Sequence, residues 1–170
     1  PKIKPQMVFQ DPYGSLNPVK KVDWILEEPL KLQKKLNKEE RQKRVFEILE
    51  EVDLDKKYAN YYLSQLSGGQ RQRVAIGVAL IMNPKFIVLD EPVSALDVTV
   101  QFQIIKLLKR LRKEHDLSYL FISHDLNVIY QMCDRICVMH RGEIVETATI
   151  ESLFSAPVHE YSKKLLKSVL

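Results

Sequence analysis

Apolar positions along this 170-residue chain alternate between short strand-like runs and stretches of helical spacing. Residues 6–10 predict a short strand ending at Gln10, and Asp11 to Pro18, with two prolines and a glycine, predict a loop. A short helix is expected over 22–28, stopped by Pro29. Asn37 with Glu40 three positions on is a capping-box pattern, and Val45, Ile48, Leu49 and Val52 follow at helical spacing. Val74, Ala75, Val78, Ala79 and Met82 mark the buried stripe of a helix that begins after Gly69 and is ended by Asn83-Pro84. Phe86 to Leu89 shows no polar alternation, as expected of a strand covered on both faces of a parallel sheet.

The long amphipathic face Val100, Ile104, Leu107, Leu108 and Leu111 leads to a second apolar run, Tyr119-Leu120-Phe121-Ile122. Strand, helix and strand make a βαβ unit. Ile136 to Met139 and Glu143 to Glu146 flank a turn at Arg141-Gly142 and predict a hairpin; from Ile150 onward helical segments are broken at Pro157.

Composition narrows the function classes. With 45% hydrophobic and 28% charged residues the chain reads as one soluble globular domain. Its charge of +4 reflects a mild imbalance of 26 basic against 22 acidic residues. The lysine-rich stretch Lys31 to Arg44 alternates with glutamates and lacks interleaved aromatics, so it reads as a solvated helix face, and no nucleic acid is expected. Apolar runs fall far short of the roughly 18 residues of a membrane span, and no signal core opens the chain, which points to the cytosol. Cys133 and Cys137 straddle a helix-to-strand junction without further ligands at metal spacing and are expected to be buried free thiols. Because the chain opens on Pro1 and Met7-Val8-Phe9 already reads as a strand, it is expected to be a fragment entered midway.

Candidate chemistry concentrates in Leu66-Ser67-Gly68-Gly69-Gln70 and in Asp90-Glu91, which closes the apolar run twenty residues further on. Adjacent glycines let backbone N–H groups approach an anion, and the following helix points its positive end at the same place. Two carboxylates at the end of a strand suit a magnesium ion and an attacking water. No G-x-x-x-x-G-K-S/T loop occurs: none of the five glycines is followed by lysine. The residues read as hydrolysis machinery without the main phosphate grip.

Gln10, Ser67 to Gln70, Asp90-Glu91, Ser94-Ala95-Leu96-Asp97 and Ser123-His124-Asp125, in that order, resemble the ATP-binding cassette (ABC) ATPases over the whole chain. The resemblance implies an α/β fold: an incomplete P-loop NTPase-like (RecA-like) parallel-sheet core with an inserted α-helical subdomain carrying the signature Leu66 to Gln70. Its domain map is 1–11 for the Q-loop strand, 12–83 for the helical subdomain, 84–148 for the core and 149–170 for the start of a peptide-importer extension. It further implies a head-to-tail pair of cassettes sandwiching two ATP molecules, with Ser67, Gly68, Gly69 and Gln70 serving the partner's ATP. Within the chain's own site, Asp90 would be the Walker B aspartate holding Mg2+, and Glu91 would activate water. Gln10 would be the Q-loop glutamine reaching the ion and the water, His124 the switch histidine on the γ-phosphate, and Asp97 the D-loop aspartate at the seam. The Walker A strand would lie between the strands at 119–122 and 136–139, so the chain alone is expected to be marginally stable.

A finer resemblance is to the oligopeptide, dipeptide and nickel importers, through Phe9 to Pro18, Asp90 to Gln101, and Pro157-Val158-His159-Glu160-Tyr161 with Leu165-Leu166. Glu160 stands where that branch usually has proline and Ser162 where it has threonine, and the chain stops before the cysteine-containing tail many members carry. The implied partners are a second ATPase subunit, two membrane permeases and, indirectly, an extracytoplasmic substrate-binding protein, at the cytoplasmic face of the membrane. The alternative is the ATPase head of a DNA-repair or chromosome-structuring protein, whose long coiled coil would need sustained heptads that do not appear here. Without a phosphate loop the 170 residues are expected to bind ATP negligibly and to be inactive alone. Calorimetric titration with MgATP should give no saturable heat, and micromolar affinity would refute the expectation.

Overall fold

The computed structural model describes residues 5–167, which divide between two compact units, Pro1–Ile122 and Ser123–Leu170. In the first, strands β1 (Gln6–Val8), β2 (Phe86–Asp90) and β3 (Ser118–Ile122) form a parallel sheet in the order β1-β2-β3. Val8 pairs with Leu89, and Asp90 with Ile122, so Gln10 and Glu91 both emerge just beyond the carboxyl ends of their strands. On β2, Ile87 and Leu89 are buried while Phe86, Val88 and Asp90 are half-buried. The second face is therefore less covered than the apolar run implies. Met7 and Leu120, the register neighbours of Val88, are 41% and 51% exposed.

The first strand is shorter than expected, ending at Val8, and the predicted loop contains one helical turn, α1 (Pro12–Ser15). Asp11 caps it by accepting from the Tyr13 N–H at 2.9 Å, with proline at the position where a missing donor costs nothing. Helix α2 (Val22–Gln33) runs through Pro29 instead of stopping there. A proline in a helix interior costs about 3 kcal/mol, but Leu26 and Leu30 are buried from this helix, each worth about 1.5–3 kcal/mol. Packing wins, and the helix ends only when Lys34 turns left-handed. Helix α3 (Lys38–Glu51) carries the expected capping box: Asn37 accepts from the Glu40 N–H at 2.9 Å, and the Glu40 carboxylate accepts from the Asn37 N–H at 2.7 Å.

Two 3-10 turns, Lys56–Asn60 and Leu63–Gln65, lead into α4 (Gly68–Leu80). Its buried surface is wider than the predicted stripe. Val74, Ala75, Ile76, Gly77, Ala79 and Leu80 are buried, whereas Val78 and Met82 are only half-buried. The reason is that α4 packs against α1, α2, α3, β1 and α5 (Val98–His115). Helix α5 buries Ile104, Leu107, Leu108 and Leu111 as its spacing predicts and connects β2 to β3. The Tyr119 hydroxyl donates to the Leu108 carbonyl at 3.0 Å, and burial pushes its ionisation well above the ordinary tyrosine range.

The second unit contains α6 (Leu126–Met132), β4 (Arg135–His140), β5 (Glu143–Thr149), α7 (Ile150–Ser155) and α8 (Glu160–Lys167). The hairpin β4–β5 forms as predicted, with positive φ at both Arg141 and Gly142, the combination a tight hairpin turn demands. Strand β5 runs past Glu146 to Thr149, whose hydroxyl then caps α7. Leu126, Val138, Leu153 and Leu166 form a small core. Alternation along β4 turns Val138 inward and Cys137 outward, so Cys137 is exposed and Cys133 is half-buried, contrary to the expected pair of buried thiols. Among the described residues no helix is long and apolar enough to cross a membrane.

Gly77 sits where α4 crosses α2 and α3, and a Cβ there would lie 2.9 Å from Ile48 Cγ2 and 3.1 Å from Leu26 Cδ2. Alanine gains about 1 kcal/mol of helix propensity, but overpacking a core costs about 1–3 kcal/mol. Gly77→Ala should therefore lower stability in urea denaturation; unchanged or higher stability would show that the crossing has slack.

Candidate functional site

Two groups of sequence-predicted residues are organised by the first unit. One lies at the carboxyl edge of the sheet. Glu91, immediately after β2, has φ 48°, in the left-handed region that few non-glycine residues occupy. Its N–H donates to the Ile122 carbonyl at 2.9 Å, and its carbonyl accepts from the Ser94 N–H at 3.4 Å and the Ser94 hydroxyl at 3.1 Å. The strained residue is held by both neighbouring segments, so its side chain leaves a fixed backbone. The Gln10 carboxamide N–H donates to the Ser94 hydroxyl at 3.4 Å. Ser94 thus links the segment after β1 to the turn after β2. Asp90 is the last residue of β2 and is half-buried.

The other group caps α4. Ser67 Oγ accepts from the Gln70 N–H at 3.3 Å, and Gln70 Oε1 accepts from the Ser67 N–H at 2.9 Å. This reciprocal box leaves the Gly68 and Gly69 N–H groups in the first turn, where a helix supplies no carbonyl four residues back. The positive end of the helix dipole adds to them, and an anion is the group such a terminus accommodates. Gly69 also has a packing reason to lack a side chain. A Cβ there would stand 2.5 Å from Val100 Cγ1 on α5, and one at Gly68 3.3 Å from Leu96. Arg71 steadies the same turn, donating to the Leu63 carbonyl at 2.8 Å with its guanidinium 5.2 Å from the Tyr13 ring centroid. An open depression of about 420 Å³ adjoins the cap, lined in part by Asp53, Tyr58, Gly69, Gln70, Arg73 and Val100.

Asp97 and His124 complete the sequence-predicted candidates. Asp97 is exposed and is the N-cap of α5, accepting from the Val100 N–H at 3.0 Å. His124 is exposed near the start of the second unit, beside Asp125, whose carboxylate caps α6 through the Asn127 and Val128 N–H groups. Among the described residues no cluster of three or more His, Cys, Asp or Glu side chains could hold a metal ion. Two features escape a motif reading. Ser94 carries no motif role, although a serine three residues past Glu91 is placed to close a turn. Asp53, Arg73 and Arg110 form a cluster that no local spacing announces, because its members are 20 and 57 residues apart.

The sequence model of the ABC transporter family matches residues 2–94. Over 98% of its length the chain is 50% identical to the oligopeptide transport ATP-binding protein OppF of Bacillus subtilis (strain 168), covering 55% of that protein. It is 46% identical over 97% of its length to the dipeptide transport ATP-binding protein DppF of Escherichia coli (strain K12), covering 49% of it. The chain spans about half the length of the curated relatives it matches. Among solved structures, cbiO1 from Clostridium perfringens, part of the transporter complex cbiONQ, superposes with a TM-score of 0.80 at 29% identity, over 97% of this chain and 62% of that one. A dimeric post-hydrolysis state of the ATP-binding cassette MJ0796, bound to ADP and Pi, superposes with a TM-score of 0.72 at 35% identity, over 85% of this chain and 63% of that one.

The Gly69 contact makes a prediction about the cap independent of any ligand. Gly69→Ala should destabilise the protein by about 1–3 kcal/mol through collision with Val100, and Val100→Ala introduced with it should recover most of the loss. Equal destabilisation with and without the Val100 change, read from chemical denaturation, would show that the close approach is not the constraint.

Proposed function

The chain belongs to the ABC transporter family, and on that premise we propose that it is the core of an ATP-hydrolysing subunit that energises uptake of oligopeptides or dipeptides. Nickel is retained as a second cargo class. The observation that carries this reading is the juxtaposition at the carboxyl edge of the sheet: Glu91 on a strained, doubly held backbone beside Gln10, with Ser94 between them. Ligands bind outside the carboxyl ends of parallel strands, and strain held at such an edge is a mark of functional sites.

In this proposal Glu91 takes a proton from the attacking water, and the fixed backbone keeps its carboxylate in line. Gln10 uses its amide N–H on Ser94, which leaves its carbonyl oxygen for a ligand. That oxygen and the Asp90 carboxylate are hard donors of the kind Mg2+ takes when waters and phosphate oxygens complete its shell. Asp90 and Gln10 would hold the ion, which when bound neutralises charge developing on the phosphate oxygens. Ser67 with the Gly68 and Gly69 N–H groups grips the γ-phosphate of a nucleotide bound by a second ATPase subunit, and Gln70 sets the cap that aims them. His124 hydrogen-bonds the γ-phosphate of the chain's own nucleotide, and Asp97 lies at the seam of the pair. The helices of 12–83 form the subdomain that carries the signature, and the second unit continues into the importer extension. Two membrane permeases and an extracytoplasmic binding protein complete the assembly on the cytoplasmic face of the membrane. The names of the relatives support the peptide cargo.

The test uses the full-length protein with Glu91→Gln. ATP binding and pairing should persist while turnover falls by about 10²- to 10⁴-fold, the range for loss of a general base. In cells the same change should abolish uptake of labelled oligopeptides. Unaltered turnover would remove Glu91 from its role, and salt-dependent DNA binding without copurifying permeases would overturn the transport reading.

A further inference from the structure

The end of α3 is gripped from two sides. Arg73, on α4 six residues beyond the Ser67 cap, donates through Nη1 to the Val52 carbonyl at 2.9 Å and to Asp53 Oδ2 at 3.0 Å. Arg110 on α5 donates through Nη2 to the Glu51 carbonyl at 2.9 Å and to Asp53 Oδ1 at 2.7 Å. Each guanidinium thus takes one carboxylate oxygen of Asp53 and one carbonyl from the last residues of α3. Those carbonyls lack acceptor duty within the helix and stand at its negative end. Asp53 reaches both arginines because its backbone turns left-handed, with φ 54°.

This fork ties α4 to α5 through α3. The same two helices also meet where Gly69 abuts Val100. The fork is thus a second, polar attachment between helices already joined by apolar packing, and it lies farther along both of them. The side chains of Arg73, Arg110 and Asp53 are 13%, 37% and 55% exposed, so the ion pairs add little to stability. What they fix is the direction in which α4 presents Ser67, Gly68 and Gly69, relative to the helix that Asp97 begins. We infer that Asp53 is a positioning residue for the phosphate-gripping end of α4, holding it to α5 through Arg73 and Arg110. This inference rests on the reading of Ser67–Gln70 as the group that engages a nucleotide across the subunit pair.

Asp53→Gly separates the carboxylate from the backbone, since glycine adopts positive φ without strain. In the full-length protein this variant should keep its melting temperature and its KM for ATP, because the chain's own nucleotide contacts lie elsewhere. Its kcat should fall by about fivefold or more, the scale of coupling between contacting residues. Arg110→Ala should lower kcat similarly, and the double variant should be no slower than the slower single one. Hydrogen exchange at the Ser67–Gln70 amides should quicken in Asp53→Gly, while the α2 amides keep their rates. Unchanged kcat in Asp53→Gly, multiplicative losses in the double variant, or unchanged exchange at the cap each overturns the inference. If the wild-type protein hydrolyses no ATP, it is the nucleotide reading that fails, and the exchange rates still decide whether Asp53 positions the helix.

Discussion

Measured to the place a Cβ would occupy, the backbone of α4 comes within 2.5 Å of Val100 at Gly69 and within 2.9 Å of Ile48 at Gly77. Nothing larger than hydrogen fits at either point without displacement, so α5 can seat against the first turn and α2 and α3 against the third. Around these approaches nearly the whole girth of the helix is buried. The two glycines therefore set the spacing of the helical layer, and the position of the Ser67–Gln70 cap follows from that spacing. A helix N-terminus is common. One held by packing on one side and by Arg71 on Leu63 on the other is pre-oriented for an anion before any ligand arrives.

At the sheet edge the constraint is of a different kind. The parallel order β1-β2-β3 brings the residues after β1 and β2 to one side, but topology alone would leave Gln10 and Glu91 on independent loops. Ser94 removes that independence by accepting from Gln10 and donating to the Glu91 carbonyl. A shift of the Gln10 segment is thereby felt at Glu91 through one hydroxyl. That is a short physical route by which movement of the segment 9–18 can alter the alignment of the Glu91 backbone.

Local chemistry was readable wherever one segment decides its own structure. The Asn37–Glu40 box, the Arg141-Gly142 turn and the helix–strand alternation from Phe86 to Ile122 all depend on neighbours within a few residues, and all three form as read. Pro29 misled because its local penalty is outweighed by the burial of Leu26 and Leu30, which is a property of the packed layer. The α4 stripe misled for the same reason: five elements surround that helix, and periodicity records only the strongest face. An apolar thiol reads as a core residue, but strand alternation from Val138 turns Cys137 outward. The Asp53 fork was invisible because its partners lie on α4 and α5.

The division of labour between packing and charge in the first unit has an energetic logic. The buried Val74, Ile76 and Leu80 side chains of α4 each contribute on the order of 1.5–3 kcal/mol, whereas an exposed ion pair contributes about 0–1 kcal/mol. Losing a charge at Asp53 therefore leaves the helical layer assembled, while losing a methyl's worth of room at Gly77 strains it. Core packing therefore holds the body of α4, and the solvent-facing carboxylate shared between two arginines adds charge-assisted hydrogen bonds that can be broken singly without opening a cavity in that core.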